Sequence, residues 1–428
     1  MTSTTPYNAT ASRVFALAAL TAAAPLALAQ DLIAASAPES GQTVLRIINL
    51  NDGSHMPYMT LPIPSDMSYL RTLSPLPGNR LIACYYAGTA SVTPRIIKID
   101  PLTGETNEVI LGAPLTSRYI EAFEWSPRHN AIIVSHANLG NFGTSSIALV
   151  DENGTVLANA VSSPTQADLD HVACSETEDY FIDLNRATSN RVVRLATPFP
   201  TPTFTNFASP PNMAEFHDIT IEPGTGRLLF ANGPGTSIIH LNGNTYTTAA
   251  TLQGGLSVRA ISFATVPPRI QTQPAHTITC PGGTLTLSIV ATGGSPTYRW
   301  QRLVADDWAD LADGPTATGS TLSGTGSHTL TINAFAFEDD GSYRCLITDA
   351  AAPDGILSDH ALARACLANY NCDGEVDILD FLDFMDDFGS CDGQSAPCGN
   401  SANADITGDT IVDIVDLLDF LDAFGRGC

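Results

Sequence analysis

Two periodicities divide this chain of 428 residues. Between residues 31 and 266, short runs rich in β-branched residues recur: TVLRIINL, RIIKID, AIIVSH, SIALVD, RVVRLA, RLLFANG and SIIHL. Turn-forming pieces such as PLPGNR, DPLTGE, SPRHN, DENGT, EPGTGR and LNGNT separate them. Such runs, bounded by Gly, Pro, Asn and Asp, predict strands, and helical spacing is nearly absent. Beyond residue 366 the spacing changes. Phe381, Leu382, Met385 and Phe388 fall on one helical face, as do Leu417, Leu418, Leu421 and Phe424. Two amphipathic helices are predicted there. Asp383, Asp386, Asp387, Asp419 and Asp422 lie off those faces and are expected in water.

The strand pattern repeats about every 50 residues. Its recurring first strands are SYLRTLSP from Ser68, IEAFEWSP from Ile120, LDHVACSE from Leu169, FHDITIEP from Phe216 and VRAISFAT from Val258. Repeats of this size with several strands each predict β-propeller blades, here five, over residues 31–266. The last first strand has no blade after it, and residues 31–64 hold only about three strands. Pairing the two would close the ring and leave no open sheet edge.

Aligning the five first strands puts Tyr69, Glu121, Asp170, His217 and Arg259 in one register. Leu70, Ala122, His171, Asp218 and Ala260 follow, and then the strands turn apolar at Phe123, Val172, Ile219 and Ile261. Ionisable residues therefore gather at the leading ends of the inner strands, which line the mouth of a propeller channel. Tyr69, Glu121, Asp170, His171, His217, Asp218 and Arg259 are the candidate ligand-binding set. The bland account is that channel mouths are wet. Two histidines with two carboxylates also match a metal site. Five-bladed propellers that are glycosidases keep carboxylates in this neighbourhood. That likeness implies Glu121 and Asp170 as acid and base of a polysaccharide hydrolase or lyase, with His217 and Arg259 holding substrate. No G-x-S-x-G elbow, HExxH or phosphate-binding glycine loop occurs, which removes several enzyme classes. The leading expectation is a non-catalytic head whose mouth takes a glycan or protein ligand.

The helical region is an internal repeat. NYNCDGEVDILDFLDFMDDFG from Asn369 and DITGDTIVDIVDLLDFLDAFG from Asp405 match at 11 of 21 positions with a period of 36 residues. Each copy carries oxygen donors at the spacing of a calcium loop, with side chains at positions 1, 3, 5, 9 and 12 and a carbonyl at 7. In the first copy these are Asn369, Asn371, Asp373, Asp377 and Asp380, with the carbonyl of Glu375. In the second they are Asp405, Thr407, Asp409, Asp413 and Asp416, with the carbonyl of Ile411. Gly374 occupies the sixth position of the first loop, where the chain turns sharply. Thr410 stands there in the second. The second site is therefore expected to hold Ca²⁺ more weakly.

These loops, the DLLDFLDAFG ending and the terminal Gly427-Cys428 resemble a dockerin of the Gly-Cys-ending kind found on secreted planctomycete proteins. The resemblance covers residues 366–428. It implies an EF-hand-like calcium module that docks onto a partner protein or a cell-surface component. Cellulosomal dockerins often carry a Ser/Thr pair at loop positions 10 and 11. This chain has Ile378-Leu379 and Ile414-Val415.

Residues 268–365, after the proline-marked VPPRIQTQP, resemble a bacterial immunoglobulin-like domain. PGGTLTLSIVATGG, TYRWQR, SHTLTINAF and EDDGSYRC carry the likeness to strands B, C, E and F. It implies Trp300 as the core tryptophan and Tyr343 as the tyrosine two residues before the strand F cysteine. Ile289 stands where strand B usually has a cysteine, so Cys345 lacks that partner and Cys280 is the nearest substitute. The module is expected to be a spacer.

Composition adds a compartment. Residues 1–29 have one charge, Arg13, then VFALAALTAAAPLALA and an Ala-Leu-Ala site before Gln30, the layout of a secretory signal. No later run is long and apolar enough to span a bilayer, so a secreted or cell-surface protein is expected. The net charge of −25, with Lys98 the only lysine, opposes binding to nucleic acid or an anionic membrane. Nine cysteines are present, five of them from Cys366 onward. In an oxidising compartment Cys366 and Cys428 are expected to close the tail, and the odd total leaves a thiol over.

Overall fold

The computed structural model describes residues 30–38, 40–87, 93–138, 141–161, 169–184, 191–197, 199–210, 216–232, 236–373, 375–391, 404–407 and 409–427. The predicted export signal, Gly374, Cys398, Gly408 and Cys428 lie outside them. The described chain is mainly β, with two helices near its C-terminal end. Among the described residues no helix is long and apolar enough to cross a membrane.

Among the described residues up to 264 the strands form five four-stranded antiparallel sheets. Four are each built from one stretch of chain, and their inner strands are Tyr69–Leu76, Arg118–Ser126, Leu169–Cys174 and Phe216–Ile221. The fifth joins distant segments. Its inner strand Val258–Ala264 pairs with Asp31–Ser36, which leads to Gln42–Ile48 and His55–Pro62. The pairing expected between the last first strand and residues 31–64 is therefore present. Inner strands pack on one another: Tyr69–Leu76 touches Val258–Ala264 and Arg118–Ser126, Leu169–Cys174 touches Arg118–Ser126 and Phe216–Ile221, and Phe216–Ile221 touches Val258–Ala264. Arg80–Tyr86, next to an inner strand, is buried on both faces through five consecutive residues. This explains why such strands read as continuous apolar runs without alternation. The core lies between sheets, as where Ile82, Cys84 and Ile96 meet Ile120, Phe123 and Ile132 of the next sheet.

The immunoglobulin-like part has a six-stranded and a four-stranded sheet around Trp300, which is fully buried. The Trp300 indole donates to the Ser327 carbonyl at 2.9 Å. Tyr343 donates from its hydroxyl to the Asp339 carbonyl at 2.7 Å, the corner that the strand F tyrosine implied. Ile289 and Cys345 share this core, so a branched aliphatic chain fills the place of the missing disulfide. The expected Cys280 partnership fails. Cys345 is a buried free thiol, and Cys280 is bonded to Cys372 in the first loop of the tail, 92 residues on. Cys84 and Cys174 are also free. Cys366 is disulfide-bonded, as is Cys391, while the Cys428 of the expected Cys366–Cys428 pair lies outside the described residues.

The proline-marked segment is docked, with no slack. The Tyr58 hydroxyl donates to the Pro267 carbonyl at 3.0 Å, Arg269 donates to the Pro101 carbonyl at 2.7 Å, and the Gly294 N–H donates to Asp31 at 2.7 Å. Gly293 has φ +94°, and a Cβ there would stand 2.8 Å from the Pro267 carbonyl oxygen and 2.9 Å from the Tyr58 ring. Only glycine permits this approach. Asp31 pairs with Ala264 and Pro101 opens the turn after Arg95–Ile99, so these contacts lie at the trailing ends of the inner strands. The leading ends stay uncovered by the immunoglobulin-like part.

Helices α1 (Ile378–Cys391) and α2 (Ile414–Arg426) follow the two loops as predicted. Their buried face is shifted from the predicted one. Phe384 and Phe420 are fully buried and stack at 4.1 Å between centroids, 8° from parallel. Phe381, Met385, Phe388, Leu417 and Phe424 flank this pair. Leu382, Leu418 and Leu421, expected inside, are exposed. Both helices carry apolar residues over more than one face, and the mutual fit of the two phenylalanines selects which face is buried.

Candidate functional site

A local irregularity builds the cluster at the leading ends. In every inner strand the ladder skips one residue: between Leu70 and Thr72, Ile120 and Ala122, Leu169 and His171, Phe216 and Asp218, and Val258 and Ala260. The residues left over are Arg71, Glu121, Asp170, His217 and Arg259. A β-bulge leaves its extra residue unpaired and re-aims its side chain, and here it does so at one level of five sheets. The sequence signature is an apolar residue, an ionisable one, any residue, then an apolar one: Leu70-Arg71-Thr72-Leu73, Ile120-Glu121-Ala122-Phe123, Leu169-Asp170-His171-Val172, Phe216-His217-Asp218-Ile219 and Val258-Arg259-Ala260-Ile261. The expected register was right in four strands and two residues out in the first, where Arg71, not Tyr69, is the equivalent. Counting from the apolar pair flanking the bulge would have found it.

Tyr69, Arg71, Asp170, His171, Phe216, His217 and Arg259 line one cavity of about 130 Å³. Five of the seven predicted residues thus converge. Arg71 ion-pairs with Asp170, donates to the Tyr119 hydroxyl at 2.8 Å, and lies 5.4 Å over the Tyr86 ring. Arg259 lies 5.2 Å over the Tyr69 ring and donates to His217 Nε2 at 3.0 Å. His217 Nδ1 is 3.0 Å from the Val258 carbonyl. A carbonyl only accepts, so Nδ1 carries the proton and Nε2 offers its lone pair to Arg259. Burial holds this imidazole below its usual pKa, and the nearby Arg259 charge adds to the effect against the Val258 hydrogen bond. His217 is therefore neutral at pH 7, with neither ring nitrogen left for a metal.

The other two predicted residues lie beneath the mouth. Asp218 is buried and accepts from the N–H groups of Ile219 and Ile261, both at 3.0 Å, with His171 Nδ1 at 3.5 Å. Burial pushes its carboxyl above the usual range, while His171 and the two N–H groups pull it back. Glu121 is 1 % exposed and accepts from the Ser145 and Ser135 hydroxyls. It is not among the residues lining the cavity. The pair Glu121 and Asp170 therefore does not face one space: Glu121 is covered and Asp170 is tied to Arg71. Among the described residues no three His, Cys, Asp or Glu side chains gather as a metal-binding group.

A larger cavity, about 820 Å³, opens at the trailing ends, with Glu124, Trp125, Cys174, Tyr180, Glu222 and Phe263 among its lining. Burial raises the Glu124 carboxyl well above its usual range, and Asp218 adds to this.

The tail loops share one hydrogen-bond scheme. Asp380, at position 12, accepts from Asn371 N–H at 3.0 Å and Asp377 N–H at 2.8 Å. Asp416 accepts from Thr407 N–H at 2.9 Å and Asp413 N–H at 2.8 Å. Both carboxylates are fully buried. Burial alone would raise the Asp416 pKa, but these N–H groups hold it below the usual value. Asn371, Asp373 and Asp377 accept from N–H groups of Asp373, Glu375 and Leu379 in the first loop. Asp405, Asp409 and Asp413 accept from those of Thr410, Ile411 and Val415 in the second. The donors are all oxygens, the chemistry of a hard cation. Asn369 Oδ1, at position 1, is buried without a hydrogen-bond partner among the described residues. Thr410 has φ +75°, a left-handed conformation strained for a β-branched residue.

Residues 267–348 match the family model of the immunoglobulin domain. No curated protein matches the chain. Among solved structures the chain is similar to the trigonal form of titin M4 (17 % identity, 23 % of this chain, 95 % of that chain, TM-score 0.19). It is also similar to domain D1 of Duf (Kirre) (19 %, 23 %, 95 %, 0.19) and to the titin M3 domain (20 %, 23 %, 96 %, 0.19). The segment after residue 266 thus contains an immunoglobulin-like domain.

Proposed function

We propose that this is an exported calcium-binding protein with a binding head and a docking tail. The five sheets form a five-bladed β-propeller, closed by Val258–Ala264 pairing with Asp31–Ser36, and its mouth takes a glycan or protein ligand. The immunoglobulin-like domain covers the far end, so head and tail keep fixed places. The tail is a dockerin-like pair of EF-hand-type units. Asn369, Asn371, Asp373, Asp377 and Asp380 with the Glu375 carbonyl hold one Ca²⁺. Asp405, Thr407, Asp409, Asp413 and Asp416 with the Ile411 carbonyl hold a second.

One observation carries the reading of the tail: both loops repeat the same buried position-12 scheme although they share only part of their sequence. A second feature fits docking. Ile378, Leu379 and Leu382 of the first unit and Ile414, Val415 and Leu418 of the second are exposed at equivalent positions, an apolar pair of stripes that a monomer gains nothing by showing to water. The partner is a docking protein or a cell-surface component. In producing cells the full chain should stay with the envelope fraction in calcium. EDTA, truncation after residue 365, or Leu382→Glu with Leu418→Glu should release it to the medium. Equal retention of all forms would overturn the docking role.

Binding, with no turnover, is supported by the covering of Glu121 and the engagement of Asp170 by Arg71. A panel of polysaccharides should yield no reducing sugar with the wild type. Release that Glu121→Gln abolishes would make the head an enzyme.

A further inference from the structure

Among the described residues the cavity at the leading ends carries a positive charge on a strongly acidic molecule. The chain carries −25 overall, yet two guanidinium groups and one aspartate line the cavity. Arg71 is compensated in charge by Asp170 and donates to the Tyr119 hydroxyl, although its Nε, like that of Arg259, is buried without a hydrogen-bond partner. Arg259 is not. No carboxylate lies within ion-pair reach of it among the described residues, and its Nε is buried without a hydrogen-bond partner. Its hydrogen-bonded neighbour among the described residues is His217, whose Nδ1 proton faces the Val258 carbonyl so that Nε2 is an acceptor toward Arg259. The Tyr69 ring fixes the guanidinium plane from one face. A cation positioned by an aromatic face and a neutral acceptor, with no counter-charge among the described residues, is open to an anion.

We propose that the mouth recognises a singly charged oxyanion on a glycan, a uronate carboxylate or a sulfate ester, which Arg259 binds through its free N–H groups. This deepens the reading of the mouth as a binding site and rests on it. The volume of about 130 Å³ is the size of one charged substituent of a sugar. Arg71 acts as a positioning residue that holds Asp170 away from the incoming anion. The net charge works as a filter: the rest of the surface repels polyanions, so any that bind must do so through a local site.

Affinity electrophoresis of the mature full chain tests this with matched polymers: polygalacturonate against its methyl ester, and dextran sulfate against dextran. One or both charged polymers should retard the protein, and the pair that responds tells carboxylate from sulfate. The neutral partners should not. Arg259→Gln should weaken retardation about tenfold or more, as for loss of a charge-assisted hydrogen bond. Arg259→Lys, which keeps the charge and loses the planar fork, should fall between. Arg194→Gln, at the trailing end, should behave as wild type. The proposal is overturned if no charged polymer binds, or if Arg259→Gln binds as well as wild type with an unchanged melting curve. Retardation by a neutral polymer that Tyr69→Ala removes and Arg259→Gln spares would sink the anion while keeping the mouth as a binding site.

Discussion

The two loop–helix units of the tail repeat one another in sequence, and their differences separate the framework they share from the turn and candidate ligand positions at which they part. The framework is common to both: a buried aspartate at position 12 that accepts two loop N–H groups, and a phenylalanine stacked on its counterpart. The divergence sits at turn and ligand positions. The first loop has glycine at position 6, a buried asparagine at position 1, and Cys372 tied to Cys280 of the neighbouring domain. The second has Thr410 in a left-handed conformation and Thr407 in place of Asn371. One unit is tied to the neighbouring domain, and the other contributes its helix to the shared core.

The largest effect should come from the shared part. Phe384→Ala and Phe420→Ala should each cost about 3–5 kcal/mol, as large-to-small core changes do. Each should speed hydrogen exchange in both helices alike, and protection lost in one helix alone would break the comparison into two independent units. Next comes the anchor. Replacing Cys280 and Cys372 by serine should cost about 2–4 kcal/mol of tail stability through the long loop it opens. Calorimetry should then find weakened binding at the first site and little change at the second. Asp373→Ala should weaken calcium binding more than Asp409→Ala, by a factor of about ten, or roughly 1.4 kcal/mol; equal losses would remove the ranking of the loops. The smallest effect is a gain. Thr410→Gly relieves left-handed strain but adds unfolded-chain entropy, so it should stabilise the second unit by about 1 kcal/mol. A loss on that substitution would mean that Thr410 is not strained.

Much of this was legible in residues. The five strand groups, the two helices, the buried Trp300 and the Tyr343 corner follow from runs, turns and spacing, because local propensity and tertiary packing agree there. Tyr69, Asp170, His171, His217 and Arg259 converge as the register implied. Arg71 was missed because Ser74-Pro75 follows it after two residues, whereas Ser126-Pro127 follows Glu121 after four, so alignment of the whole strands slipped by two. Glu121 shares that register yet turns under Ser145, a choice made by the second and third strands of its sheet. Phe384 and Phe420 were hidden because each helix is apolar on several sides. The Cys280–Cys372 bond joins two modules, and no spacing rule reaches between them.

Calcium binding by the tail is tested most directly by calorimetric titration of the mature, disulfide-intact chain with CaCl₂ after EDTA treatment. Two sites should appear, the tighter one lost in Asp373→Ala, and helix signal and exchange protection over Ile378–Cys391 and Ile414–Arg426 should rise with occupancy. A titration without heat, and helices equally protected with and without calcium, would contradict the account.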